Sequence, residues 1–175
     1  RLKAPDKGPA IEDLDAAAKA LPQGSGERLA IADLYHRAGA LSPEIGQLDL
    51  WIASHRGDAK LAQALNRRCW ARGLLGREAA LALADCDAAL KLWPKQASFL
   101  DSRGLARLRL GDYAQAISDY DAALKQRPKT PWSLYGRGLA ELRSGQIAKG
   151  KIDIAAAAAL DPSLPGAAVA HGLAP

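Results

Sequence analysis

The sequence predicts an all-α protein built from repeated helix pairs, and three observations support this prediction. Alanine and leucine, which are both strong helix formers, dominate the 175 residues. β-branched residues are scarce, so β-strands have little to be built from. Pro94, Pro128 and Pro162 recur at 34-residue intervals, and each follows an apolar, alanine-rich run. A fixed period of this length is typical of helical solenoids.

Composition limits the classes of partner. Hydrophobic residues make up 49% of the chain and charged residues 25%, which suits one domain with a buried core. The net charge of +5 is spread along the chain, so we expect no nucleic-acid partner. No apolar run approaches the roughly 20 residues of a membrane span, and we expect no membrane insertion. The chain begins with Arg1 instead of methionine, so we expect that it has been trimmed, by a signal peptidase or by truncation, and that any targeting segment is lost.

The N-terminal part of the chain is predicted to lie outside the regular repeats. We expect residues 1–10 to form a flexible tail, because they hold two prolines, a glycine and three basic residues. Residues 11–57 are predicted to be helical, with helices at 11–21, 27–38 and 43–55. The last two helices form a pair that we interpret as a fourth, degenerate repeat over 25–57. Its buried side chains are predicted to be Leu34, Tyr35, Leu48, Trp51 and Ile52.

Residues 58–162 hold three similar units, at about 62–94, 95–128 and 129–162. The motif Arg-Gly-Leu-Ala occurs at 103–106 and again at 137–140. Each unit is predicted to be a hairpin of two helices, with one extra residue in the first turn near residues 77–79. The six helices are expected at 60–75, 78–92, 97–110, 113–126, 131–144 and 147–160. Residues 163–175 can form a short C-terminal capping helix.

The three units resemble tetratricopeptide repeats (TPR). The family pattern has a bulky residue, a small residue four positions later, a glycine at the turn, then a small residue, a large residue and a proline. The matching residues are Leu65, Cys69, Gly76, Ala82, Cys86 and Pro94; Leu100, Gly104, Gly111, Ala116, Tyr120 and Pro128; and Leu134, Gly138, Gly145, Gly150, Ile154 and Pro162. The resemblance covers about residues 62–162. It implies a right-handed solenoid of stacked helix hairpins.

The first helix of each unit carries an arginine at a position that is usually apolar in this family. A partly buried arginine needs a hydrogen-bond acceptor. Aspartates share one register on the three second helices. We therefore expect a structural ladder that fixes how the hairpins stack, formed by Arg68, Arg103 and Arg137 with Asp85, Asp119 and Asp153. Arg103 is expected to pair with Asp85 or Asp119, and Arg137 with Asp119 or Asp153.

Both cysteines replace other residues in neighbouring registers of the first unit. Cys69 stands where Gly104 and Gly138 stand in the other units, and Cys86 stands where Tyr120 and Ile154 stand. We expect a disulfide between them, with two buried free thiols as the alternative. A disulfide favours the periplasm or the cell exterior, and free thiols favour the cytoplasm.

No motif for catalysis, a metal or a cofactor occurs in the sequence, so we expect neither an enzyme nor a bound cofactor. The segment Asn66–Trp70 loosely resembles TPR proteins of the alphaproteobacterial envelope, some of which carry an aspartic protease domain. No Asp-Thr-Gly or Asp-Ser-Gly triplet is present here.

Two functions are therefore in competition. One is a protein- or peptide-binding scaffold; the other is an accessory or self-association domain of a larger envelope protein whose catalytic part is absent.

The family resemblance also implies which residues bind a partner, because the first helix of each TPR hairpin lines a concave groove. By register these residues are Asn66, Arg67, Trp70, Asp101, Leu105, Arg109, Trp132, Tyr135, Leu139 and Arg143. Trp132, Tyr135 and Leu139 share one helix face, with Arg109 and Arg143 nearby. The expected partner is a peptide segment with an apolar anchor and an acidic group. The alternative is that Trp70 and Trp132 pack beneath neighbouring helices.

Overall fold

The structure is a computed structural model that describes residues 7–175, and within this range it contains ten α-helices and no β-strand. The predicted all-α class is therefore confirmed. The helices are α1 Gly8–Ala20, α2 Arg28–Ala38, α3 Leu41–Ser54, α4 Leu61–Leu75, α5 Ala79–Leu92, α6 Ala97–Leu110, α7 Tyr113–Gln126, α8 Pro131–Arg143, α9 Ile147–Leu160 and α10 Leu164–Ala170. The six helices α4 to α9 begin and end within one residue of the predicted bounds.

The helices form a stack of hairpins. Consecutive helices pair as α2 with α3, α4 with α5, α6 with α7, and α8 with α9. Each hairpin packs on the next through α3 and α4, α5 and α6, and α7 and α8. The first helices of the hairpins also pack side by side, α4 against α6 and α6 against α8, so they form one continuous face of the stack. We call this face the first-helix groove.

Glycines set the turns and the closest helix contacts. Gly76 ends α4 at a φ of 72°, in the left-handed region that favours glycine. The extra residue of the first turn is Glu78, which takes a φ of 58°. In the third hairpin Gly138 and Gly150 bring the backbones of α8 and α9 together. A Cβ atom on Gly150 would lie 2.6 Å from the carbonyl oxygen of Gly138. These positions therefore need residues without side chains.

Tyr120 occupies a space that two glycines leave open. Its ring lies between α6 and α8, where a Cβ atom on Gly104 would approach it to 2.9 Å and one on Gly136 to 2.4 Å. The side chain is buried in the main core, with Leu105, Leu134 and other apolar residues. One large residue of the second hairpin thus joins two consecutive units.

Two expectations for the N-terminal region are wrong. Helix α1 begins at Gly8, inside the segment 1–10 that was expected to be a tail, and Pro9 suits the first helical turn. The earlier residues 1–6 lie outside the described part of the chain. Leu34 is 42% exposed instead of buried, because α2 turns Ala32 and Tyr35 toward the core. Leu48 and Trp51 are buried and Ile52 is partly buried.

No single helix between residues 7 and 175 is long and apolar enough to cross a membrane. Helices α9 and α10 meet those criteria only when they are taken together, and they are bent by 112° at the break between them.

The contact between Gly138 and Gly150 gives a test of the hairpin packing. We expect Gly150→Ala to lower the free energy of unfolding by about 1–3 kcal/mol, since the new methyl group meets backbone atoms that cannot move aside. Gly46→Ala is the matched control, because Gly46 lies inside α3 with no atom within 4 Å of the added Cβ. The control should gain up to about 1 kcal/mol from helix propensity. Chemical denaturation measures both changes, and equal effects would contradict the packing.

Candidate peptide-binding groove

The two cysteines form a disulfide. The sulfur atoms of Cys69 and Cys86 are 2.07 Å apart, and the bond joins α4 to α5 across the first hairpin. Both residues are fully buried, in a small cluster with Ala82 and Ala106. The bond therefore fixes the helix that carries Asn66, Arg67 and Trp70 relative to α5.

Each of the three units holds an arginine of its first helix against an aspartate of its second helix. Arg68 contacts both carboxylate oxygens of Asp85, at 2.8 and 2.5 Å. Such a two-point contact fixes the orientation of both side chains. All three aspartates are buried. The other two pairs are Arg103 with Asp119 (2.9 and 2.7 Å) and Arg137 with Asp153 (2.5 and 3.0 Å).

The same arginines also contact the preceding hairpin. Arg103 binds Asp87 of α5 at 3.0 Å, and Arg137 binds Asp121 of α7 at 2.7 Å. Arg68 binds Asp49 of α3 at 2.7 Å. Each guanidinium therefore joins three helices of two hairpins. Sequence reasoning did not find Asp49, because it lies 38 residues before Asp87 instead of 34.

A second charged position lies one turn after each arginine of the ladder. Arg107 donates to Asp119 at 2.6 Å, and Arg72 donates to Asp85 at 2.7 Å. The third unit has Glu141 there instead. Burial raises the pKa of Glu141, and the neighbouring Asp153 raises it further. The Oε2 atom of Glu141 has no hydrogen-bond partner within residues 7–175.

The first-helix groove contains a cavity of about 290 Å³ in its N-terminal half. Trp70 of α4 and Trp132 of α8 stand on its wall in edge-to-face contact, with ring centroids 5.4 Å apart. Both rings are only partly buried. Asn66, Arg67 and Asp101 line the same cavity, so the structure brings five of the ten expected binding residues together.

Two carboxylates of this cavity have different surroundings. Glu44 of α3 is buried, and it accepts from Arg67 at 3.3 Å and lies 3.1 Å from His36. Burial raises the pKa of Glu44, although His36 and Arg67 oppose the shift. Asp101 of α6 accepts from the hydroxyl of Ser133 at 2.5 Å. Burial raises the pKa of Asp101 to about 6, and the Ser133 hydrogen bond only partly offsets this.

The other five expected binding residues lie in the C-terminal half of the groove, which the chain itself covers. Leu105, Tyr135 and Leu139 are buried, together with Leu173 of the C-terminal segment. The Tyr135 hydroxyl donates to the carbonyl of Leu173 at 2.9 Å. The expected apolar strip of Trp132, Tyr135 and Leu139 is therefore not open, and only Trp132 remains accessible.

The two arginines expected to meet an acidic partner bind backbone carbonyls instead. Arg109 donates to the carbonyls of Gly73 and Leu74 at the end of α4, and to those of His171 and Gly172. Arg143 remains exposed but donates to Ala174 at 3.2 Å. These contacts hold the C-terminal segment against the groove. The segment has no helical periodicity that would reveal this position in the sequence.

The ladder gives a second test. Asp119→Asn removes the buried charge that Arg103 and Arg107 share, whereas Arg103 keeps its contact with Asp87. Because both guanidinium groups are partly exposed, we expect a loss of about 1.5–3 kcal/mol of unfolding free energy, the range for hydrogen bonds to charged groups. Asp121→Asn is the matched control, because that side chain is 56% exposed and should cost no more than about 1 kcal/mol. Denaturant titration separates the two variants. Losses of similar size would show that the buried pair does not stabilise the stack.

Comparison with known proteins supports the fold. Residues 104–145 match the family model described as TPR repeat. No curated protein matches the chain in sequence. A crystal structure of a MamA protein superposes with a TM-score of 0.65 and 21% identity, covering 90% of this chain and 88% of that one. At this identity the likeness concerns the fold alone.

Two further solved structures agree. MamA from Desulfovibrio magneticus RS-1 (residues 41 to the end) gives a TM-score of 0.63 at 22% identity, over 88% of this chain and 89% of that one. A thermophilic TPR protein of Thermus thermophilus gives 0.66 at 16% identity, over 84% and 82%. The chain thus has the solenoid fold of tetratricopeptide repeat proteins, and its residues 104–145 match the model of that repeat.

Proposed function

We propose that the chain is a protein-binding scaffold that holds an extended segment of a partner in the first-helix groove. The observation that carries the proposal is the cavity walled by Trp70 and Trp132. The two rings come from first helices that are not adjacent in sequence, α4 and α8, and α6 supplies the wall between them. Tryptophans at a partly exposed cavity are frequent anchors of protein interfaces.

The groove is built on rigid elements. Arg68, Arg103 and Arg137 each form an ion pair with the preceding hairpin, and the disulfide joins α4 to α5. A binding site on packed helices keeps its shape without the partner, which lowers the entropic cost of binding. The structure gives little reason to expect an acidic group on the partner, because Arg109 already donates hydrogen bonds to four backbone carbonyls of the chain itself.

Peptide display provides the test of this proposal. Peptides selected on the wild-type chain should bind at least tenfold more weakly to Trp70→Ala, because an anchor is removed. Ser98→Trp is a second variant that fills the cavity from the partly exposed Ser98 without removing a core contact. Trp93→Ala is the matched control, since Trp93 is 41% exposed and lies outside the cavity lining.

Circular dichroism should show that all three variants stay folded. Peptides that bind wild type and Ser98→Trp equally well would contradict a ligand in this groove.

We infer self-association as a second candidate function, in keeping with an accessory domain of a larger protein. A groove of about 460 Å³ lies between α1 and α2, and its lining includes Ala10, Leu14 and Leu34. Leu34 is an exposed apolar residue at the end of the stack, where another copy of the chain can pack.

Light scattering tests this second candidate. If the groove between α1 and α2 joins two copies, Leu34→Glu should shift the purified chain from dimer to monomer, because a carboxylate cannot be buried in an apolar contact. Leu81→Glu is the matched control, since Leu81 is 50% exposed on α5 and away from that groove. A wild-type monomer at every concentration measured would rule out self-association.

The disulfide supports an oxidising compartment for the scaffold. Thiols are kept reduced in the cytosol, whereas structural disulfides persist in the periplasm and outside the cell. We therefore propose one of these two locations for the chain. The buried position of Cys69 and Cys86 agrees with a structural bond, because reductants have little access to it.

A further inference from the structure

We infer that the first-helix groove recognises a basic side chain of its partner, arginine or lysine, held by Asp101 and the faces of Trp70 and Trp132. This inference rests on the proposed function and specifies the chemistry of the ligand. It replaces the acidic partner that the sequence suggested. Three properties of the cavity support it: its charge, its aromatic wall and its remaining hydrogen-bond acceptor.

Asp101 is a carboxylate without a cationic partner. Its one hydrogen bond comes from the neutral hydroxyl of Ser133. No Lys, Arg or His side chain of residues 7–175 lies within ion-pair distance of it, in contrast to the three ladder aspartates. A partly buried carboxylate gains most from a ligand that carries the missing positive charge.

The other charges around the cavity compensate one another. Arg67 lies 3.3 Å from Glu44 and 3.9 Å from Asp33. Asp33 also contacts Arg37 at 2.6 Å. Within the cavity lining the charge of Glu44 is therefore balanced by Arg67, and outside the lining Asp33 pairs with Arg37. His36 adds a positive charge only when it is protonated. The charge of Asp101 is the surplus, so the electrostatic potential of the cavity favours a cation.

The two tryptophans suit the same ligand. Their rings meet at an interplanar angle of 88°, and both side chains line the cavity. Ammonium and guanidinium groups bind above the faces of aromatic rings, and tryptophan binds them best. A guanidinium group is also planar and weakly hydrated, which lets it stack on a ring while it bonds a carboxylate.

Asn66 offers a further acceptor. Its Oδ1 atom is buried and has no hydrogen-bond partner within residues 7–175, although the residue lines the cavity. A guanidinium group has five N–H donors and an ammonium group has three, so either keeps donors free after it has bonded Asp101. The volume of about 290 Å³ lies at the low end for ligand sites, which suits one long side chain.

Blocked pentapeptides with arginine, citrulline or glutamate between two leucines test the inference. Binding is followed by the indole N–H resonances of Trp70 and Trp132 in ¹⁵N-labelled protein. Trp51 is buried in another cluster and Trp93 stacks on Phe99, so their resonances serve as internal references. We expect the arginine peptide to shift both groove resonances. The citrulline peptide, which has nearly the same shape without the charge, should bind at least tenfold more weakly.

Asp101→Asn isolates the contribution of the carboxylate. The amide oxygen can still accept from Ser133, so the fold should be kept. This variant should lose at least tenfold in affinity for the arginine peptide while its affinity for the citrulline peptide stays the same. Asp13→Asn is the matched control, because it changes the net charge equally on an exposed part of α1.

The outcomes separate the inference from the proposed function. Equal binding of the arginine and citrulline peptides, preference for glutamate, or full arginine affinity in Asp101→Asn would overturn the inference. If displayed peptides without basic residues still lose binding to Ser98→Trp, the groove binds partners but selects a different side chain. If no displayed peptide responds to Ser98→Trp, the proposed function itself fails.

Discussion

The middle of the stack is built around two buried aspartates that each accept three hydrogen bonds from two arginines. Asp119 receives two from Arg103 and one from Arg107, and Asp85 is bound in the same way by Arg68 and Arg72. Removing a carboxylate from water costs several kcal/mol, and this cost is met only when nearly all its lone pairs are bonded. Because Arg68 and Arg103 also reach the preceding hairpin, each of them bonds carboxylates of two hairpins at once. Apolar contacts between alanine-rich helices would not select that arrangement so sharply.

The third unit lacks the second arginine that completes the hydrogen bonding of the aspartate in the first two units. Glu141 takes the place of the second arginine, so Asp153 keeps only the bonds from Arg137. The third hairpin relies on backbone proximity instead, through Gly138 and Gly150. The ionic contacts are therefore most extensive in the first two units, and the third unit combines one arginine–aspartate pair with a close glycine contact.

Much of the fold was predictable because it depends on local signals. Proline and glycine mark the helix ends at fixed intervals, and the period places Gly138 opposite Gly150. Side chains in repeated registers could be assigned for the same reason. The exposure of Leu34 could not, since it depends on how α1 lies beside α2. The position of Leu173 in the groove could not be foreseen either, because the segment that carries it has no periodic pattern.

The four carbonyl contacts of Arg109 affect how cooperatively the solenoid should unfold. A repeat stack usually couples only adjacent units, so that its ends can fray while the centre remains folded. Arg109 bonds residues 36 positions before it and residues 62 and 63 positions after it. One side chain of the middle unit thereby links the first unit to the C-terminal segment. We therefore expect fraying of that segment to be coupled to the centre, so that the array unfolds more cooperatively than a stack with contacts between adjacent units alone.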